Sequence, residues 1–328
     1  MLIALKDVSD NYFFDPFYDR IGFYDSLVSL PKDTLINLRL FKEETTMVWD
    51  KPNFINSEKI GFGYFGKLDM NKISLISKIP DSVNFLFTKE KDKDTINFWL
   101  SKNSIDSLQF KLKEADTIKT LSVKFDRSKD SIIDSLSISN ITKSVIDLTE
   151  KFKLSSDLPI NKISDSLIFI RNIDSILIPF KSSINSNLDE ITLDFDVKPQ
   201  DDYSIYILPN AIIDIRGGTN DTLSFNTLSQ SLEDYGNVYL NVIRDTESKY
   251  ILQMVNSNSE IIKEYNNITN DGIYNFELIP PGKYLFRMIK DDNGNKIWDT
   301  GNYLQKIQPE DVYYFSNELD IRANWDFN

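Results

Sequence analysis

The sequence predicts an all-β chain of tandem antiparallel β-sandwiches, and three observations carry that expectation. Short runs of Ile, Leu, Val, Phe and Tyr recur along the whole length, with 22 Phe and 15 Tyr, the residue types that favour strands. Pro, Gly, Asp and Asn punctuate these runs at roughly 8–12-residue intervals, the rhythm of a sandwich. No long stretch places apolar residues at i, i+3, i+4 and i+7, so amphipathic helices are not expected.

The elements follow in order. Residues 1–45 open on an apolar strand over 2–5, and 21–30 and 34–41 read as two further strands around the turn Pro31-Lys32-Asp33. Three strands with one buried face are barely enough for stability, so this segment reads as a partial sandwich. Residues 46–140 carry a series of short runs, including the aromatic, glycine-bearing 60–65 and the alternating Leu121, Val123 and Phe125. That alternation is the mark of a half-buried strand. Residues 141–229 hold the cleanest period-two run, in which Ile191, Leu193, Phe195 and Val197 alternate with Thr192, Asp194 and Asp196. The pair Gly217-Gly218 follows, where positive φ comes free of steric cost and a tight crossing is expected. After a polar linker, residues 237–328 show enough strands for a complete small sandwich.

The 328 residues hold 37 Lys and Arg against 50 Asp and Glu, a net charge of −13. Phosphate contacts need clustered basic residues, so no nucleic-acid partner is expected. Cys and His are both absent. This excludes thiol catalysis, disulfides, His-containing triads and Cys/His zinc sites. A non-enzymatic chain becomes the expectation. No apolar run approaches the ~18 residues of a membrane helix, and residues 1–7 lack the basic region and apolar length of a signal peptide.

The most informative stretch runs from Tyr284 to Asp299. An apolar strand enters the loop Asp291-Asp292-Asn293-Gly294-Asn295-Lys296-Ile297-Trp298-Asp299, and a second version lies at Asp7-Val8-Ser9-Asp10-Asn11-Tyr12-Phe13-Phe14-Asp15. They align without a gap, pairing Asp7 with Asp291, Ser9 with Asn293, Asn11 with Asn295 and Asp15 with Asp299. Two readings fit both. Asp291, Asn293, Asn295 and Asp299, and more weakly Asp7, Asn11 and Asp15, place oxygens at the spacing of a calcium loop, with Ile297 supplying a carbonyl. The match departs from an EF-hand where Asn302 stands in place of the bidentate Glu. Alternatively, Asp and Asn cap their own backbone in Asx turns and no ion is involved. Trp298 and Phe14, just before each closing Asp, read as loop anchors or as sugar-stacking rings. The pairs Asp194/Asp196 and Asp201/Asp202 could do glycosidase work, but Asp194 and Asp196 belong to the solvated face of one strand.

Several of these residues resemble a known family. Ile279-Pro280-Pro281-Gly282-Lys283-Tyr284, the loop 290–299 and the ending Arg322-Ala323-Asn324-Trp325-Asp326 resemble the C-terminal domain of Bacteroidota-type Ig-like domain-containing envelope lipoproteins. That domain is similar to the transthyretin-like regulatory domain of carboxypeptidases. Residues 141–229, above all Leu208-Pro209-Asn210-Ala211 through Asp214, Gly217, Thr222, Phe225 and Thr227, resemble a bacterial Ig-like domain. Residues 1–45 resemble the end of another transthyretin-like domain, and in the family pattern a lipobox Cys and earlier domains precede it. The resemblance implies a non-catalytic cell-envelope or surface protein, outer membrane-associated or extracellular, with a structural, scaffolding or adhesive role. Its implied partners are other envelope proteins or surface glycans, and a carbohydrate-binding accessory protein is the alternative.

Overall fold

In the computed structural model, residues 2–28, 35–56, 58–102, 105–114, 116–125, 135–244, 247–315 and 317–328 are described. Strands joined almost wholly antiparallel make up the regular structure, with three short 3-10 turns and no α-helix among the described residues. The chain forms two compact units. One combines Met1–Thr45 with Leu232–Asn328, and the other is Thr46–Ser231.

The unit Thr46–Ser231 holds two sandwiches. In the first, the sheet Val48–Asn56, Lys59–Phe65, Thr95–Leu100 and Phe85–Lys89 faces Ile73–Leu75, Ser107–Glu114 and Thr117–Lys124. Phe62 and Phe98 from one sheet meet Phe110 from the other edge-to-face, each at 4.9 Å between ring centres, a favoured aromatic geometry. The alternation at 121–125 falls on the strand Thr117–Lys124, whose Leu121 and Val123 pack onto this core.

In the second sandwich, Ile138–Asn140, Phe152–Ser156, Glu190–Phe195 and Phe180–Ile184 face Val145–Ile146, Leu223–Ser229, Asp202–Ile207 and Ile168–Arg171. The period-two run does what its pattern implies. Ile191 and Leu193 are buried in the core, while Asp194 turns outward to an ion pair with Lys151. At the expected crossing Gly217 has φ +87°, and the Asp214 carboxylate accepts the N–H groups of Arg216 and Gly218. Arg216 then reaches Glu58 of the first sandwich at 3.3 Å and lies 3.6 Å from Asp214. All three side chains are largely buried, so this contact holds the two sandwiches of the unit together through desolvated charge.

The other unit is discontinuous in sequence. Its sandwich sets Gly272–Ile279, Gly236–Val242 and Asp326–Phe327 against Ile261–Ile268, Lys249–Asn256, Gly282–Asp291, Val312–Tyr314 and Leu319–Ile321. Val238 and Phe276 of one sheet pack on Leu252, Met254 and Phe286 of the other. The segment 1–45 joins this unit. Ile3–Lys6 pairs with Arg20–Phe23, Ile21 bridges Phe41, and Ile21, Phe23 and Phe41 bury themselves with Phe14 and Tyr303. The physical reason is that two short strands and one bridged residue cannot cover Phe23 and Phe41 alone, and Tyr303 supplies the missing apolar surface at 5.7 Å from the Phe23 ring. The strand expected over 21–30 ends at Phe23, and among the described residues of the one expected over 34–41 only Phe41 is paired. The turn Pro31-Lys32-Asp33 lies outside the described residues.

Candidate functional site

Each of the two Asp/Asn loops begins where a strand ends. Asp7 follows Ile3–Lys6, and Asp291 ends Gly282–Asp291. The loops then trace the same path. In the first, Asp10 and Tyr12 have φ of 52° and 63°; in the second, the corresponding Gly294 and Lys296 have 75° and 69°. Left-handed backbone at non-glycine residues persists only where surrounding contacts fix it, and the aspartates provide those contacts. Asp7 accepts the N–H of Ser9 and of Tyr12, and Asp291 accepts those of Gly294, Asn295 and Lys296. One step on, Asn11 accepts from Phe13 N–H and Asn295 from Ile297 N–H.

A second carboxylate closes each loop, and sequence reasoning missed both. Asp19 accepts Val8 N–H at 2.9 Å and Asp15 N–H at 2.7 Å. Glu310 accepts Asp292 N–H at 2.9 Å and Asp299 N–H at 3.0 Å. In the alignment these are the same two positions, so the two carboxylates perform one task. Asp19 is wholly buried and Glu310 is 8% exposed. Burial pushes the Glu310 carboxyl above its ordinary range, and the charges of Asp299 and Asp291 add to the rise, against the pull of the two backbone donors. The only sequence signal was position: each stands immediately before the strand that returns from the loop, Arg20–Phe23 and, one residue further on, Val312–Tyr314.

The structure therefore brings Asp291, Asn293, Asn295 and Asp299 together, with both Asn side-chain amides donating to Asp299. In the first loop Asp7 and Asn11 each cap backbone N–H groups, and Asp15 turns to cap Phe17 N–H. The donors are oxygens alone, which suits a hard cation, and most of them already accept a backbone N–H. Among the described residues no group of three or more His, Cys, Asp or Glu side chains is arranged to hold a metal ion. Trp298 anchors its loop by donating from the indole to the Glu310 carbonyl at 3.1 Å, and Phe14 packs against the small N-terminal cluster.

The second loop is longer, and its extra length meets the N-terminal segment. Thr300 donates to the Lys42 carbonyl, and Gln308 donates to the Phe23 carbonyl and to Asp25. Tyr303 N–H donates to Glu43 at 2.5 Å, and Arg39 pairs with Asp311 at 2.8 Å. Gly301 packs so close that a Cβ would stand 2.6 Å from the Ile307 carbonyl and 2.7 Å from the Phe41 ring.

No protein-family model matches the chain, and no curated protein sequence is similar to it. Similar solved structures include native alpha-2-macroglobulin from Escherichia coli, at 10% identity and TM-score 0.27 over 58% of this chain and 91% of that one. Domains 4–9 of the surface layer protein SbsC are similar at 9% identity and TM-score 0.25, over 90% of this chain and 53% of that one. A Bacteroides ovatus protein of a mixed-linkage glucan utilization locus, in complex with a heptasaccharide, is similar at 11% identity and TM-score 0.22, over 81% and 71%. Scores this low carry no argument. The all-β sandwich architecture stands on the strands and cores described above. Among the described residues no helix is long and apolar enough to cross a membrane.

Proposed function

We propose that the chain is a non-catalytic surface or envelope protein with a structural, scaffolding or adhesive role. One observation carries this reading. The richest sets of polar side chains, around Asp7 and Asp291, are engaged in fixing their own loops, which leaves rigid corners and sheet edges as the features presented to partners. Full-length protein assayed against chromogenic glycosides, esters and peptides should show no turnover above buffer. Turnover that disappears on a single carboxylate substitution would overturn the reading.

A second reading concerns calcium. The oxygens of Asp291, Asn293, Asn295 and Asp299 are of the kind a hard cation takes, and both Asn side chains already meet Asp299. Asp7, Asn11 and Asp15 are the weaker candidates, since Asp15 is turned to Phe17 N–H. With so few carboxylates, affinity belongs on the order of 10⁻⁴–10⁻³ M. Melting should therefore move upward in about 5–10 mM calcium, roughly ten times that range. An unchanged melting temperature removes calcium from the account and leaves the Asx turns.

A further inference from the structure

Within the unit Thr46–Ser231, a cleft of about 190 Å³ lies between the first sandwich and the loops of the second. It is smaller than the ~300–1,000 Å³ of drug-sized sites, which fits one ring-sized ligand. Its character differs from the apolar cores on either side. Lys59, Lys89 and Lys91 line it together with Glu90, Asp157 and Asp189, and Lys93 pairs with Glu90 at 2.9 Å, so charges of both signs meet there.

The floor is the outer face of the first sandwich, at the strand Thr95–Leu100. The Trp99 ring stands there with its indole N–H donated to Thr88 Oγ1 at 2.9 Å, which fixes its orientation. The ammonium of Lys59 sits 4.5 Å above the ring centre and 3.6 Å from Glu90. Beside it, the Asn97 amide donates to Glu90 at 2.8 Å, while its Oδ1 is buried with no hydrogen-bond partner among the described residues. Buried polar atoms are paired in the great majority of cases, so this oxygen, which lies beneath the surface, is an exception to the rule. The Lys59 ammonium covers a pre-oriented aromatic ring next to a fixed carboxylate.

We infer that this cleft binds a neutral, hydroxyl-rich ligand, a single sugar ring of a glycan, which stacks on Trp99 in place of the Lys59 ammonium and hydrogen-bonds Glu90. Hydroxyl groups both donate and accept, which suits a cleft of mixed donors and acceptors. Apolar ring faces suit an aromatic platform. The inference does not depend on the calcium reading, whose loops lie in the other unit.

The test uses the full-length chain with ¹⁵N-labelled tryptophan indoles, the Trp99 signal being identified by its loss in W99F. Neutral disaccharides of glucose, galactose and mannose are titrated to about 20 mM, well past a ~1 mM dissociation constant, beside inorganic phosphate and calcium chloride. The expected result is a saturable shift of the Trp99 signal with at least one disaccharide and none with phosphate or calcium. Calorimetry should then show roughly tenfold weaker binding in W99A and several-fold tighter binding in K59A, which uncovers the ring. Where W99A fails to fold, W99F serves, with a smaller loss. A Trp99 signal unmoved by every disaccharide would overturn the inference. So would a shift produced only by phosphate or calcium, or unchanged affinity in both K59A and the folded Trp99 variant.

Discussion

The loops that begin at Asp7 and Asp291 share one backbone path, yet they differ in how far they reach before closing. In the first, Asp15 accepts the N–H groups of Tyr18 and Asp19 through its own carbonyl, so the clamping carboxylate follows within one turn. In the second, the chain leaves Asp299, makes the Asn302–Ile307 bridge and returns at Glu310. The clamp has the same two contacts in both. What changes is the excursion: the short loop closes on itself, whereas the long one carries Gly301, Tyr303 and Gln308 onto the N-terminal segment. One corner design thus serves as a plain turn in one copy and as a docking element in the other.

That comparison can be broken most forcefully at the docking contact. Phe41→Ala removes a fully buried ring from the Ile21–Phe23–Tyr303 cluster and should cost about 3 kcal/mol. The loss should show as faster amide exchange in Arg20–Phe23 and around Tyr303, with exchange in the sandwich cores of Thr46–Ser231 unchanged. Uniformly faster exchange in both units would mean that the segment 1–45 is not specific to this one.

The clamps come next. Asp19→Ala and Glu310→Ala each strand two backbone N–H groups, at about 2 kcal/mol apiece, read by denaturant melts. Similar losses support a shared role, and a silent Asp19→Ala separates the two loops. Gly301→Ala probes the excursion alone: the clash with the Ile307 carbonyl and Phe41 should cost roughly 1–2 kcal/mol, and the melts of Asp19→Ala should be additive with it.

The smallest effect comes from a carboxylate of the opposite kind. Glu90 is lowered to about 2, first by the hydrogen bond from Lys93, against which burial pulls upward, and further by Asn97 and Lys59. Its folded value lies below the ordinary 4.5, so the stability it contributes is present above that pH and is lost as pH falls toward 2. Glu90→Gln should cost about 1 kcal/mol at neutral pH and flatten the acid limb of a stability–pH curve between those values. An unchanged acid limb would place the stabilisation elsewhere.

Much of this was legible in the residues. Period two at Ile191–Val197 named the buried face because a strand's side chains alternate without regard to distant sequence. The aligned aspartates named both loops, since an Asx cap acts on the next few residues. Asp19 and Glu310 were not legible because each acts backward across a loop of a different length, and no fixed spacing marks them. The joining of 1–45 to 232–328 was hidden for the same reason on a larger scale. Phe41 finds Gly301 and Tyr303 only through tertiary packing, and nothing local to Phe41 distinguishes it from any other strand aromatic. The expected strand over 34–41 failed where a run of apolar residues found just one backbone partner, Ile21.

The discontinuous unit has a mechanical consequence. Met1–Thr45 and Leu232–Asn328 belong to one folded body, so tension entering on the N-terminal side and leaving on the C-terminal side passes through that body first. The contacts of Phe23, Asp25 and Lys42 with Tyr303, Gln308 and Thr300 would bear that load.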